Sequence, residues 1–390
     1  MKGVELLKTA LGMIIRSLDK EEEVLRFIDN AEKYGHKLDC VVVAYNHTLD
    51  PRVASAINDR IPLFAIDTGK PDYCSEQFRR RGMSYAAARA LLQRPVDPRF
   101  GLVPYGFNRN MVIIEAILRG IELLFFVDND VYPMTLKPAP GGHAAEDIDF
   151  FGGHLEHLRS GSQITTGEYS GYNILPPVSF PGMDYLLHGL QKSDMLEYWQ
   201  DCANHRCLTM QSDDRATQLC TKILGGNTAF TLSAFFDLPP FFSTSYIHDG
   251  ELYLARGEDT VLGLGIAVSG TVCTDVKLFP LHDTYKNYPE EPDLVGDPMT
   301  QERFYYACTG WVGRNPFYNY LRGNDVKSIR EFQRDQLERG IPALVESTSN
   351  QRFANVLKAF DTSWDSLGRY ISEYDVLLSA WKEFMRGAFA

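Results

Sequence analysis

The stretch "IELLFFVDNDVYP", residues 121–133, decides the fold. Its large apolar run, Leu123 to Val127, stops abruptly at Asp128, Asn129 and Asp130. Unpaired carboxylates are not tolerated in a protein interior, so the run reads as a buried strand whose acids lie beyond its end. Alternation along an extended chain puts Asp128 and Asp130 on one side and Asn129 on the other. Just upstream, "RNMVIIEAILRG" (109–120) has helical spacing and a terminating Gly120. A helix leading directly into a buried strand is one step of a parallel α/β sheet.

The pattern repeats outward from there. "LGMIIRSL" (11–18) is an apolar run, and "DKEEEVLRFIDNAEKYGH" (19–36) carries Val24, Leu25, Phe27, Ile28 and Ala31 at helical spacing, with Asp19 as its expected cap. "LDCVVVAYN" (38–46) and "IPLFAID" (61–67) read as strands, and "DPRVASAIND" (50–59) as a helix opened by Pro51. Strands alternating with helices imply a mostly parallel, doubly wound sheet, and such sheets bind ligands beyond the carboxyl ends of their strands. The two acids therefore face a ligand site.

Past residue 134 the pattern loosens. "PMTLKPAPGGHAAED" reads as loop, and residues 150–220 carry the Gly, Ser, Tyr and Pro clusters of a binding lobe. "GGNTAFTL" (225–232) is strand-like and "EDTVLGLGIAVSG" (258–270) helix-like. "YPEEPDLVGDP" (288–298) is a polar boundary before a helical C-terminus. We therefore expect three parts: 1–150 and 151–290 as the two halves of one α/β domain, and 291–390 as a helical extension. The C-terminal helices are a candidate homo-oligomer surface.

Bulk properties narrow the function classes. The 390 residues carry a formal net charge of −12, which disfavours a dedicated nucleic-acid binder. No apolar run is long enough to span a bilayer, and the first residues lack a signal peptide's apolar core and cleavage site. Seven scattered cysteines without a CxxC suit reduced thiols in a cytoplasmic protein. Cys202, His205 and Cys207 in "CANHRC" have the look of half a metal site, but no second Cys/His pair follows at finger spacing.

Two carboxylates flanking one residue at a strand end suit a divalent cation of the Mg²⁺ or Mn²⁺ type, completed by substrate phosphates and water. Three further features accompany them. Gly225-Gly226-Asn227 is a small-residue turn that admits close approach, Gly257-Glu258-Asp259 puts two acids at a helix start, and His282 follows another strand-like run.

In this order and spacing these features resemble the GT-A glycosyltransferases, particularly the family 2-like branch. The likeness spans residues 11 to about 285 and is most specific in "YGFNRNMVIIEAILRGIELLFFVDND". "LGGNTAF" and "GEDTVLGLGIA" match later blocks of that plan. The resemblance implies a GT-A fold and transfer of a hexosyl group from a nucleoside-diphosphate sugar to the hydroxyl of a small-molecule, glycan or lipid-linked acceptor. It implies that Asp128 and Asp130 hold Mg²⁺ or Mn²⁺, with His282 as a third ligand. Arg109 then faces the diphosphate or donor sugar, accompanied by Asn129, Gly226 and Asn227. Arg16, Ser17, Leu18, Ala44, Tyr45 and Asn46 line the nucleoside pocket, and Asp67 is a candidate base contact or a turn cap. Glu258 positions the acceptor, and Asp259 stands at the family's base position, which favours inversion.

Two departures matter. The first strand ends in Arg16 where the family has Pro, and Ala44 or Tyr45 stands where a base-reading Asp is usual. The nucleotide base is therefore open. Two rival readings use the same acids: an aspartyl-phosphate phosphatase with Asp128 as nucleophile, and a nucleotide-sugar-binding protein without catalysis. The phosphatase reading is opposed by the late position of the acid pair, after three strand–helix units.

Overall fold

The computed structural model describes residues 7–70, 75–93, 103–140, 142–172, 174–176, 178–196, 208–209, 218–286 and 288–388. Cys202, His205 and Cys207 lie outside the described residues. Strands β1 (Thr9–Leu18), β2 (Cys40–Leu49), β3 (Leu63–Asp67) and β4 (Leu123–Asp128) run parallel in the order β4-β1-β2-β3. The sheet continues past β4 through Asn227–Thr231, which is antiparallel to it, then Ile164–Thr166 and Cys273–Asp275, and ends at Gln218–Leu219. The α/β class read from the sequence is borne out, with a parallel half and a mixed half.

Alternation along the strands divides the core. In β1, Ala10 and Ile14 face one cluster and Leu11, Met13 and Ile15 the other. In β4, Leu124 and Phe126 face the first, and Leu123, Phe125 and Val127 the second. The helix Tyr105–Leu118 packs on the first face, and Glu22–Lys33 and Phe150–Arg159 on the second. Both faces are covered, as long apolar runs in parallel strands require.

Several local readings need correction. Asp19 caps nothing: the helix starts at Glu22 after Glu21, which offers no side-chain cap. Asp50 does cap its helix, accepting from Arg52 N at 2.8 Å. The loop expected after residue 134 is an antiparallel hairpin, Met134–Ala139 with Gly142–Asp147. Its second strand is exposed along its whole length and its first is not alternately buried, so neither carries a period of two to read beside the Pro and Gly residues of the turn. The helix around Arg109 begins at Tyr105, not at Arg109. Pro104 stands at its N-cap, so "YGF" is its first turn.

The C-terminal helices join two different cores. Pro298–Leu321, Val326–Thr348 and Asn355–Asp365 share a cluster with Leu186, Leu190, Tyr246 and Tyr253. The last helix, Leu367–Ala388, instead sends Trp381, Phe384 and Met385 into the first sheet face beside Phe78 and Leu91. Among the described residues no helix is long and apolar enough to cross a membrane.

Candidate functional site

The carboxyl ends of the parallel strands carry the site. Asp128 pairs in register with Ile14, so β1 runs on past the end of β4 to Leu18. The antiparallel strand opens at Asn227, opposite Val127. The turn before it, Gly225-Gly226, therefore lies directly against Asp128.

Arg109 is the hub. It is 2% exposed and reaches the site from the second turn of its helix. Nη2 donates to Asp128 Oδ1 at 3.1 Å, Nε to Glu258 Oε1 at 3.1 Å, and Nη1 to the Gly225 carbonyl at 2.7 Å. Its guanidinium also lies 5.3 Å from the Phe126 ring centroid and 5.7 Å from that of Phe241. Burial opposes its charge, but Asp128, Glu258 and Asp259 outweigh that and raise its pKa. The side chain that the resemblance aims at the diphosphate or donor sugar is thus enclosed between two carboxylates.

The glycines follow from this packing. A Cβ at Gly225 would stand 2.3 Å from Arg109 Nη2. One at Gly226 would stand 2.6 Å from Asp128 Oδ2 and 2.8 Å from the Tyr169 hydroxyl. The close approach expected of a ligand is made here by the protein's own charged side chains.

Asp130 is held separately. A two-residue strand, Leu281–His282, pairs with Val131–Tyr132 and sets His282 opposite Val131. His282 Nε2 lies 3.2 Å from Asp130 Oδ1. Its Nδ1 is 3.1 Å from the Thr284 hydroxyl, and its ring lies 4.5 Å from that of Tyr169. The two acids titrate in opposite directions. Burial raises Asp128 with Asp130 adding to it, against Arg109. Burial would raise Asp130 too, but the charge and hydrogen bond of His282 hold it down at about 2.

Glu258 and Asp259 open the helix Glu258–Ser269 after Gly257, whose φ is +97°. Glu258 is buried against Arg109, and burial together with Asp259 raises its carboxyl above the ordinary range. Asp259 is less enclosed: its Oδ1 accepts from Thr260 N at 2.7 Å and the Thr260 hydroxyl at 3.3 Å.

The other expected residues divide. Arg16 is exposed and Ser17 half-buried where the β1–β2 register slips, with the Ser17 hydroxyl 3.4 Å from His47 Nδ1. Tyr45 is half-buried, and Asn46 is 6% exposed. Leu18 and Ala44 are both 0% exposed and belong to the two cores, so only their backbone reaches the strand ends. Asp67 Oδ1 caps a turn by accepting from Gly69 N at 2.9 Å. Asn129 turns away from the acids, its amide 3.3 Å from Glu23 Oε1 and its carbonyl accepting from Arg26 at 2.5 Å. Asn227 is fully buried: its amide nitrogen donates to the Glu168 and Leu278 carbonyls, and its Oδ1 accepts from His154.

Sequence reading missed Tyr169. Its hydroxyl accepts from Gly226 N at 2.9 Å, and burial with Asp128 raises its pKa well above the ordinary value. An aromatic in a Gly/Ser-rich segment was the only signal.

The donor set suits a hard divalent cation in kind: two carboxylates, one firmly ionised, and an imidazole. Among the described residues no three such groups converge as a ready-made metal cluster. Asp128 Oδ1 is engaged by Arg109, which leaves Asp130 and His282 as the adjacent pair.

No family model matches the chain, and no curated protein matches it. Among solved structures, glucosyl-3-phosphoglycerate synthase from Mycobacterium tuberculosis in complex with Mn²⁺ and UDP-glucose is 13% identical. That match covers 78% of this chain and 79% of that one at a TM-score of 0.35. The same enzyme with phosphoglyceric acid gives 12% identity over 78% and 80% of the two chains, at a TM-score of 0.36. Likeness at this level assigns this chain to no family and carries no function to it.

Proposed function

We propose that this chain is a GT-A-type glycosyltransferase. It moves a hexosyl group from a nucleoside-diphosphate sugar to an acceptor hydroxyl, with Mg²⁺ or Mn²⁺ and with inversion. One observation carries the reading: Arg109 ties the first acid of the strand-end pair to the Glu258-Asp259 helix start. The acids read as donor-side and as acceptor-side thereby meet on one guanidinium.

Asp130 and His282 would hold the cation, with diphosphate oxygens and water completing its shell. A cation bound there would neutralise charge developing on the leaving diphosphate. Arg109 acts as a positioning residue. It holds Asp128 in place, its charge opposing the upward pull of burial on that carboxyl, and its own charge is already balanced by two carboxylates. The carboxyl ends of β1 and β2, with Arg16, Ser17, Tyr45 and Asn46, flank the nucleoside. Asp259 takes the proton of the attacking hydroxyl, whose own pKa is far too high for it to ionise unaided. The engagement of Asp128 by Arg109 weighs against its use as a phosphatase nucleophile.

The test is calorimetric titration of UDP and GDP, with and without Mn²⁺, into wild type and Asp130→Ala. Metal-strengthened binding of one nucleotide, lost in the variant, is expected. Transfer that continues undiminished in excess EDTA would overturn the metal-dependent mechanism.

A further inference from the structure

Next to Asp259 stand two cations that the described protein does not neutralise. Arg314, on the helix Pro298–Leu321, is 6% exposed, and its Nε is buried without a hydrogen-bond partner. Its Nη2 donates to Asn315 Oδ1 at 2.9 Å, and its guanidinium lies 5.4 Å from the Tyr318 ring centroid. Among the described residues no carboxylate lies within ion-pairing distance of it. Most other arginines that pack this deeply in soluble proteins have such a partner, because desolvating an unpaired guanidinium costs several kcal/mol.

Arg314 packs on the turn that launches the Glu258 helix. A Cβ at Gly257 would stand 2.8 Å from Arg314 Cδ and 3.3 Å from its Nη1. One turn earlier on the same helix, the Trp311 ring lies 5.2 Å from Lys192 Nζ. Asn315 Nδ2 donates to the Leu190 carbonyl at 3.3 Å and so ties the segment bearing Lys192 to this helix. Lys192 is half-buried and, among the described residues, also lacks an ion-pair partner. Burial and the neighbouring Arg314 lower its pKa to about 8, against Asp194 and Asp259. Two cations that repel each other, each partly or wholly withdrawn from water and each set against an aromatic ring, suit an anion.

We infer that Arg314 and Lys192, converging beside Gly257 and Asp259, form a binding site for an oxyanion, a phosphate or carboxylate, carried by the acceptor. The anion site stands on its own geometry; its assignment to the acceptor rests on the glycosyl-transfer reading above. An anionic group anchored there would leave the rest of the acceptor to present its hydroxyl to Asp259.

The experiment is calorimetric titration of inorganic phosphate into the full chain, with Mg²⁺ and whichever of UDP or GDP binds already saturating. Wild type is expected to bind phosphate, and Lys192→Gln and Arg314→Gln to bind it at least about tenfold more weakly with nucleotide affinity unchanged. If Arg314→Gln fails to fold, the half-buried Lys192→Gln still decides. Failure of wild type to bind phosphate, or equal binding by wild type and Lys192→Gln, overturns the site. Glucose, glucuronate and glucose 6-phosphate then separate the sources. Preference for glucose 6-phosphate alone assigns a phosphate, and preference for both charged sugars admits a carboxylate. Glucose binding as tightly as either overturns the proposal. If no nucleoside diphosphate binds but phosphate binds in a Lys192-dependent way, the transfer reading fails and the anion site survives.

Discussion

Arg109 and Glu258 lie 149 residues apart and meet in a buried 3.1 Å ion pair. The pair links the sheet's parallel half to the start of the helix Glu258–Ser269. It also makes Arg109 a structural member of the site, since the same guanidinium grips Asp128 and the Gly225 carbonyl.

Arg109→Met should therefore unfold more easily as well as lose function. Removing one partner of a buried pair leaves carboxylates uncompensated, at a cost of about 3–5 kcal/mol. Urea unfolding measures it. A loss under about 1 kcal/mol would mean that solvent replaces the guanidinium without difficulty.

The glycine turn gives a sharper steric test. Gly226→Ala drives a methyl against the Asp128 carboxylate and the Tyr169 hydroxyl. It should cost about 1–3 kcal/mol, the usual range for overpacking, and weaken nucleoside-diphosphate binding. Gly368→Ala, with nothing within 4 Å of the new methyl, should be neutral or slightly stabilising. Equal behaviour of the two variants in thermal unfolding would remove Gly226 from the site.

His154 predicts a pH dependence. It is fully buried, 2.8 Å from the Thr165 hydroxyl, and its Nε2 donates to Asn227 Oδ1 at 3.2 Å. Burial lowers its pKa to about 3, so the folded protein keeps it neutral. Below its ordinary value of about 6.5 the unfolded chain gains a proton that the folded chain refuses. Stability then falls with decreasing pH, by up to about 1.4 kcal/mol per unit until the folded pKa is reached. Denaturant unfolding from pH 7 to 5 should show this slope in wild type and a flatter one in His154→Gln. Parallel curves would contradict it.

Asp259→Asn keeps the shape of the side chain and removes its proton acceptor. Donor binding should survive while transfer falls by about 10²–10⁴-fold, the scale of general-base catalysis. Glu258→Gln should harm the chemical step less. Anomeric coupling in the fresh product, read by NMR, should show β from an α-linked donor. An α-linked product would reassign Asp259 to binding.

Much of the fold was legible in the sequence because it rests on local periodicity. The apolar runs of β1, β2 and β4 and the helix signals at Pro51 and Gly120 each report their own element. The acids at 128 and 130 were legible for the same reason, since charge cannot continue a buried strand. Where local periodicity was absent, reading failed: the hairpin after residue 134 looked like loop, and the helix expected over 109–120 in fact begins at Tyr105.

By itself the sequence determined the α/β sheet, the strand end where the acids sit, and the candidate acids and histidine. Only the tertiary structure decided which side chains meet there. Arg109 turns inward to two carboxylates, Asn129 turns to Glu23, and Asn227 is consumed by His154 and two carbonyls. Tyr169 and Arg314 arrive from segments with no readable motif. The physical reason is range. Periodicity and capping are written in neighbours a few residues apart. The pairing of a buried charge is settled by whichever distant groups the packed chain brings within hydrogen-bond reach.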